Sequence, residues 1–518
     1  MEVIDNRGLL VRVREPDRFT TAIQQSRYLG QVGDESHEVL VKWNLENTRR
    51  LANLGVRKAP SPILRDYHWP GAFKPYEHQK QTASFLTANN RAFCFSEQGT
   101  GKTGAVIWAA DYLMQIGDIK RVLIVCPLSI MHSAWMQDIF SIAMHRTAAV
   151  AHGSKETRKK VILGKYEFVI INYDGVPTVV EELQQGQFDL VVADEANFVK
   201  TASTRRWKAL NKVITPQTKL WMLTGTPAAQ SPVDAFGLAK MAVPQRVPPY
   251  YTTWRDKVMV KITQFKWIPS NNATKLVNAA LQPAIRFTKA ECLDLPPMTY
   301  QTREIELTPQ QKKYYQVLKK QMMVEAAGEQ ITAVHAAAGL NKLLQLSCGA
   351  VYSDDGEVVQ FDAKNRLDEI VEVVREAAHK VIVFVPFRHA IDIVIDRLRK
   401  EKFTAEIISG AVSMTARTKI FKSFQETPDP RVLVIQPQSA AHGVTLTAAD
   451  TIVWFGPVAS VETWLQANER INRPSQVNKM TVIKIYGSPV EKRVYDALES
   501  KEANQKDLVA LYEQELSG

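Results

Sequence analysis

The feature that most limits the fold of this 518-residue chain is a repeated alternation. Short runs of apolar, β-rich residues are each followed by turn residues and then by a segment with helical periodicity. Ala92–Phe95, Val122–Cys126, Glu167–Ile171, Leu190–Ala193 and Leu220–Leu223 form one series, and Val381–Val385, Ala405–Ile408, Val432–Ile435, Thr451–Phe455 and Met480–Ile485 a second. A strand that is apolar at every position has to be covered on both faces. The helix that follows it is the connection that brings the chain back to start a parallel neighbour. The fold class expected is therefore α/β, with two parallel-sheet lobes over residues 71–297 and 360–518. The length alone already calls for more than one core.

The remaining segments read differently. Leu307–Gln330 and Ile331–Leu346 are rich in Ala, Lys, Gln, Leu and Met, which predicts two helices and makes 298–359 a helical insertion opening the second lobe. Residues 1–70 are expected to form a small α+β accessory domain, with a β-like start at Leu9–Val13 and a turn signal at Gly30–Gly33. The proline-rich stretch Ala59–Pro62 then reads as a lead into the first lobe. Arg49, Arg50, Arg57 and Lys58 crowd together there, offering either a second grip on a polyanion or the surface of a packing domain. From Pro489 to Leu511 a helix or two is expected.

Hydrophobic residues make up 45% and charged residues 23%, the balance of a folded chain and not of a disordered one. The formal charge of +11 fits a nucleic-acid partner, although a basic surface also serves solubility. Four cysteines (Cys94, Cys126, Cys292 and Cys348) show no CxxC pair and sit among apolar neighbours, which argues against zinc and against a disulfide framework. The first residues carry acids and lack the apolar stretch of a signal peptide, and no run approaches the roughly 20 apolar residues of a membrane span. A reducing, cytoplasmic setting without membrane contact is expected.

The chemistry concentrates in three places. Ser96-Glu97-Gln98-Gly99-Thr100-Gly101-Lys102-Thr103 follows an apolar strand and opens a helix. Glycines let backbone N–H groups close around phosphates, and the helix N-terminus adds positive partial charge. Gly99, Thr100, Gly101, Lys102 and Thr103 are the candidate nucleotide-binding residues, with Lys102 reaching the β- and γ-phosphates and the Thr103 hydroxyl holding Mg²⁺. The strict pattern has Gly where Ser96 stands. Next, Leu190–Ala193 runs into Asp194-Glu195, a buried strand ending in two carboxylates. Asp194 is the second candidate Mg²⁺ ligand, and Glu195 is placed to polarise an attacking water, although an acidic strand end also serves as a helix cap. Finally, Gln466, Arg470 and Arg473 are spaced as one face of a helix, from which two arginines could stabilise charge on a γ-phosphoryl group across an interlobe cleft. Such a stripe is also an ordinary solvated helix face.

As an ordered set these motifs resemble helicase superfamily 2, and in detail the Snf (Swi/Snf-like) branch of ATP-dependent DNA translocases, over residues 74 to 495. Lys74–Gln79 resembles the adenine-reading element, with Gln79 as reader. Cys126–Ile130 followed by Trp135 resembles the strand-tracking motif, and Asn172-Tyr173 stands where Thr-Tyr is usual. Leu223-Thr224-Gly225-Thr226-Pro227 matches the coupling motif, Arg286–Lys289 with Leu295–Pro297 the close of the first lobe, and Leu307–Gln311 the opening of the second. Ile382–Phe384 and Gly443–Asp450 resemble motifs IV and V, and Arg470 and Arg473 fit motif VI. Departures are Asn197 for the usual His, Ala441-His442 for Gly-Gly, and Pro474-Ser475 before Gln476. The resemblance implies two RecA-like lobes and ATP with Mg²⁺ as cofactors. It implies coupling through Thr224, Thr226 and Gln466, with Lys102, Glu195, Arg470 and Arg473 in catalysis. The implied partner is double-stranded DNA, with single-stranded DNA or RNA as the alternative, for a monomeric motor tracking the duplex by Ser129, Asn172, Thr445 and Thr447, with a protein on DNA as possible cargo. A strand-separating helicase shares the same motifs. The compact chain resembles bacterial or phage-borne members of the branch.

Overall fold

In a computed structural model the chain is described except for residues 34, 57–58, 226, 228–230, 264–266, 293–294, 329–332, 353–357, 440–443, 474 and 501–518. It divides into two units, Met1–Leu293 and Asp294–Gly518.

The first unit is organised on a seven-stranded sheet in the order Ala284–Ile285, Arg91–Cys94, Lys219–Leu223, Leu190–Asp194, Val122–Cys126, Phe168–Asn172 and Ala148–Val150. Every pairing in it is parallel. Because side chains alternate along a strand, each apolar run feeds two cores. Phe93, Leu123, Val125, Val169, Val191 and Met222 point into one, beneath the helices Val180–Gln185, Arg205–Val213 and Ala235–Ala242. Ala92, Cys94, Ile124, Ile170, Val192 and Trp221 point into the other, beneath Glu77–Ala88 and Lys102–Gln115. The two-sided burial required by the sequence is met in this way.

The second unit repeats the plan with a six-stranded parallel sheet, ordered Met298–Glu304, Met480–Tyr486, Ala449–Trp454, Lys380–Phe384, Val432–Ile435 and Ala405–Ile408. Ile382, Phe384, Leu433 and Trp454 enter one core, and Val381, Val383, Val434 and Phe455 the other. Arg366 is fully buried beside Glu491, 2.8 Å away, and its guanidinium also donates to the carbonyls of Phe455 and Ile485. This buried pair fastens the helices Lys364–Glu376 and Pro489–Glu499 to the sheet.

The helices expected in the middle of the chain are Pro309–Gly328 and Ala333–Ser347. Thr308 and Gln311 start the first of them as a reciprocal cap, the Gln311 Oε1 accepting from Thr308 N (3.1 Å) and the Thr308 Oγ1 from Gln311 N (3.4 Å). The segment before them is a strand, Met298–Glu304, and not part of a helical insertion. It pairs at a sheet edge, and its sequence MTYQTRE, mostly exposed, carries no apolar run by which to recognise it. The helix after Pro489 ends at Glu499, and the rest of that expected helical end lies outside the described residues.

Residues 2–42 form a four-stranded antiparallel sheet, ordered Glu2–Ile4, Gly8–Val13, His37–Lys42 and Ser26–Gln31. Leu9, Val11, Val39 and Val41 on its inner face pack with Phe19, Ile23, Trp43 and Leu51. Ala59–Pro62, the stretch that leads toward the first lobe, is a packed seam. Ser61 is buried, its N–H donates to Ser84 Oγ (2.9 Å), and Pro60 O accepts from Trp43 Nε1 (2.7 Å) and Thr48 Oγ1 (3.1 Å). Arg49 grips Asp118 with two 2.8 Å hydrogen bonds, and Arg50 reaches Glu46 and Ala22 O. These two arginines are engaged within the unit; Arg57 and Lys58 lie outside the described residues.

Candidate functional site

In an open parallel sheet, ligands gather at the carboxyl ends of the strands, because the loops there lead into helix N-termini. Strand order decides which loops meet. Arg91–Cys94, Lys219–Leu223 and Leu190–Asp194 are adjacent, and Leu223 stands level with both Cys94 and Asp194. The glycine loop, Thr224 and the Asp194-Glu195 pair are thereby brought to one edge. The next two strands end level at Cys126 and Asn172, which carries Leu128-Ser129 and Asn172 to the same edge.

Gly99 and Gly101 adopt left-handed φ angles of 82° and 73°, which a side chain disfavours, and the helix Lys102–Gln115 begins directly after Gly101. The Lys102 ammonium donates to the carbonyls of Ser96 (2.7 Å) and Glu97 (3.0 Å), folded back over its own loop. Thr103 follows in the first turn, half-buried. Thr100 is buried; its hydroxyl donates to Glu97 O (2.8 Å) and its carbonyl meets His78 Nε2 (2.8 Å). Gln79 is also built into this loop. Its Oε1 accepts from Tyr76 N (2.9 Å) and its Nε2 donates to Gly101 O (3.0 Å). A Cβ at Gly101 would lie 2.2 Å from Gln79 Nε2, so a side chain there would displace the Gln79 amide from the loop besides straining the left-handed backbone.

Ser96, the departure from the strict glycine pattern, has a structural use. Its hydroxyl accepts from Phe287 N (3.1 Å), while Glu97 Oε2 accepts from Lys289 N (3.0 Å). The phosphate loop is thus tied to the Arg286–Lys289 segment.

Asp194 is buried, and both of its oxygens are held, Oδ2 by Trp135 Nε1 (2.8 Å) and Oδ1 by Glu195 N (3.0 Å). Burial pushes its carboxyl above the usual carboxylate range, while the indole donor, the Lys102 cation and the Glu195 N–H act in the opposite direction. Tyr173 donates to Asp194 O (2.8 Å), and Glu195 takes a left-handed φ of 52°. A non-glycine residue held in that region costs of order 1–3 kcal/mol, and such strain clusters at functional sites. Its half-buried carboxylate receives Gln98 Nε2 at 3.3 Å. Thr224 is buried and its N–H donates to Cys94 O (3.1 Å); Thr226 lies outside the described residues.

Two residues at this edge have roles that their sequence positions did not reveal. Gln98 spans from the glycine loop to Glu195, a separation of 97 residues, and no local pattern marks it. Trp135 resembled part of a strand-tracking motif, yet its ring is fully buried and serves Asp194. It sits in a π-helical turn, Met131–Met136, a rare geometry often found at functional sites. Trp135→Phe keeps an aromatic side chain, smaller than the indole, and removes the donor, so the Asp194 carboxyl should rise further. If ionised Asp194 is needed for turnover, the acid limb of the ATPase pH profile then moves to higher pH. An unchanged acid limb would show that Asp194 does not set it.

Ser129 lies half-buried in the short helix Leu128–Ile130, and Asn172 is buried with its Oδ1 lacking a hydrogen-bond partner among the described residues.

In the second unit the helix Val461–Asn468 ends before the arginines, so the single helical stripe through Gln466, Arg470 and Arg473 is not formed. Asn468 Oδ1 accepts from Trp454 Nε1 (2.9 Å) and fixes the helix end. The chain then turns to bury Ile471 completely, and a residue directly before a proline, here Arg473, disfavours helix. Gln466 is buried on the helix and donates to Glu462 (3.2 Å). Arg470 is buried, donates to Val444 O (3.3 Å), and accepts at its carbonyl from Leu446 N (2.9 Å); Arg473 is half-buried. Gln476 Nε2 reaches Ala449 O (2.9 Å) and Ile471 O (3.3 Å), stitching this segment to the one that carries Thr445 and Thr447. Thr445 is exposed, and the Thr447 hydroxyl meets that of Ser475 at 3.0 Å.

Among the described residues no group of three or more His, Cys, Asp or Glu could hold a metal, and no helix is long and apolar enough to cross a membrane. The oxygens of the Asp194 carboxylate and the Thr103 hydroxyl are of the kind that Mg²⁺ takes, one or two from the protein with phosphate and water completing its shell.

The family model of the SNF2-related domain matches residues 39–348, and that of the helicase conserved C-terminal domain matches 363–475. Protein p41 of Acyrthosiphon pisum secondary endosymbiont phage 1 is 23% identical over 423 residues, covering 78% of this chain and 90% of that protein. An uncharacterized ATP-dependent helicase of Mycoplasma genitalium is 24% identical over 413 residues, where 78% of this chain spans 39% of the longer relative. The solved Sulfolobus solfataricus SWI2/SNF2 ATPase core in complex with dsDNA aligns with a TM-score of 0.42 at 21% identity, over 86% of this chain and 96% of that one. With one family domain spanning more than half of its length and the helicase C-terminal domain following in order, the chain belongs to the SNF2-related family of ATP-dependent enzymes.

Proposed function

We propose that the chain is a translocase that couples ATP hydrolysis to movement along double-stranded DNA without separating its strands. The observation that carries this reading is the convergence, at one edge of the first sheet, of the glycine loop, Asp194-Glu195, Thr224, Ser129 and Asn172. Nucleotide groups and polar groups suited to a phosphate backbone share adjacent strand ends, so a change on one strand end is felt by the next.

Gly99–Gly101 cradle the phosphates with backbone N–H groups, and Lys102 exchanges its two carbonyl acceptors for phosphate oxygens. Thr103 and Asp194 are the residues that would hold Mg²⁺, whose charge offsets that of the phosphates. Glu195 orients and polarises the attacking water, with Gln98 holding its carboxylate before nucleotide arrives. Arg470 and Arg473 of the second unit stabilise the charge that develops on the γ-phosphoryl group. Ser129, Asn172, Thr445 and Thr447 contact phosphates and therefore read no sequence. The +11 charge supplies a general attraction to the duplex.

The test sets displacement of a third strand from a blunt duplex beside unwinding of a long fork, both with ATP. Displacement without unwinding is the expected outcome. Robust unwinding with no displacement would overturn the reading in favour of a strand-separating helicase.

A further inference from the structure

The SNF2-related match begins at residue 39, so three of the four strands of the N-terminal sheet precede it. The inner face of that sheet is the small core described above. Its outer face follows from the register. Leu10 stands opposite Leu40, Arg27 stands opposite Leu40 on the other side, and Gly8 stands opposite Lys42. With a side-chain period of two, Leu40, Lys42, Arg27, Gly8 and Leu10 share that outer face.

A cavity of about 420 Å³ opens there. Gly8 and Leu40 line it, and they meet closely, for a Cβ at Gly8 would lie 2.7 Å from Leu40 Cδ1. Around the cavity stand Arg7, Arg27 and Lys42, with the amides of Gln24 and Gln25 and the one carboxylate of Asp5. All three cations are exposed, and none forms an ion pair among the described residues. Their neighbour Arg12 behaves differently, since it is held by Glu38 at 3.0 Å across the strands. Three cations outside any ion pair among the described residues, against the single lining carboxylate of Asp5, surround a partly apolar floor with amide groups beside it and complement a chain of phosphates and sugars. Cations collected without pairing otherwise repel one another, and a polyanion relieves that repulsion by replacing counterions.

We propose that this outer face is an auxiliary grip on the phosphodiester backbone of nucleic acid, formed by Arg7, Arg27 and Lys42 and separate from the nucleotide edge. The proposal rests on nucleic acid being the substrate of the motor. It places the grip on the sheet face, whereas Arg49 and Arg50, two of the crowded N-terminal cations that the sequence offered for this role, are engaged within the fold.

The experiment uses the full chain and the triple variant R7Q/R27Q/K42Q, with R12Q as a control for a paired cation on the same face. Duplex binding is followed by fluorescence anisotropy across a salt series without nucleotide, and ATP turnover is measured against duplex concentration. The triple variant should bind about tenfold or more weakly near physiological salt, with a slope of log K against log salt shallower by roughly 0.9 for each phosphate no longer neutralised. Its half-maximal duplex concentration for turnover should rise while kcat at saturating duplex stays unchanged, and R12Q should match the wild type. Wild-type affinity and slope in the triple variant would overturn the grip, even if duplex still stimulates turnover in both proteins. Binding that weakens in the triple variant while duplex fails to stimulate wild-type turnover would keep the grip and overturn the motor. A wild-type chain that binds no duplex at low salt overturns the grip as well.

Discussion

Arg473→Ala is expected to lower kcat for nucleic-acid-stimulated ATP hydrolysis by about 10³–10⁵-fold, the usual loss when an arginine that stabilises a transferring phosphoryl group is removed. Affinity for ATP should change far less. The charge that the guanidinium offsets is concentrated in the transition state, so the interaction adds little to the bound ground state. Arg470→Ala should show the same loss, but its interpretation needs more care. Arg470 is buried and bonded to Val444 and Leu446, so removing it also takes a hydrogen bond from the fold of the second unit. Half-buried Arg473 is the cleaner test, and thermal melting of both variants separates a lost catalytic charge from a loosened unit. Normal turnover by both folded variants would exclude these arginines from the active site.

Glu195→Gln should bind ATP yet hydrolyse it some 10²–10⁴-fold more slowly, the span typical of losing a positioned general base. The amide keeps the size of the side chain and can still meet Gln98, so the left-handed backbone at residue 195 need not change. Lys102→Ala should act on a different step. Without nucleotide the ammonium satisfies two loop carbonyls, and with nucleotide it is the only cation of the loop itself, so its removal should weaken ATP binding and turnover together. Fluorescent-nucleotide binding measured beside steady-state turnover separates the two. Wild-type turnover in either variant, with the fold intact, would refute the assignment of Lys102 and Glu195 to the site.

The sheets were legible in the sequence because of how they are buried. Strands inside a parallel sheet are covered on both faces and must be apolar throughout, so Val122–Cys126, Leu190–Asp194 and Val432–Ile435 announce themselves. Edge strands are under no such demand. Met298–Glu304, Ala148–Val150 and Ala284–Ile285 are short or largely polar, and only their hydrogen-bonded neighbours make them strands. The glycine loop and the Asp-Glu strand end were equally legible, since a phosphate cradle and a buried carboxylate each require particular residues at consecutive positions.

The sequence alone therefore determined the two apolar-strand series, the helices between them and the local chemistry of each loop. The tertiary structure decided which loops share an edge and what holds each carboxylate. Trp135 reaches Asp194 across 59 residues, Gln98 reaches Glu195 across 97, and Phe287 reaches Ser96 across 191. It also took Arg470 and Arg473 off the helix that their spacing suggested, because Asn468 is anchored to Trp454 and Ile471 is drawn into the core. Periodicity records only whether a position faces apolar or polar surroundings. Strand order and side-chain partners depend on where distant segments come to lie, and no short window of sequence carries that information.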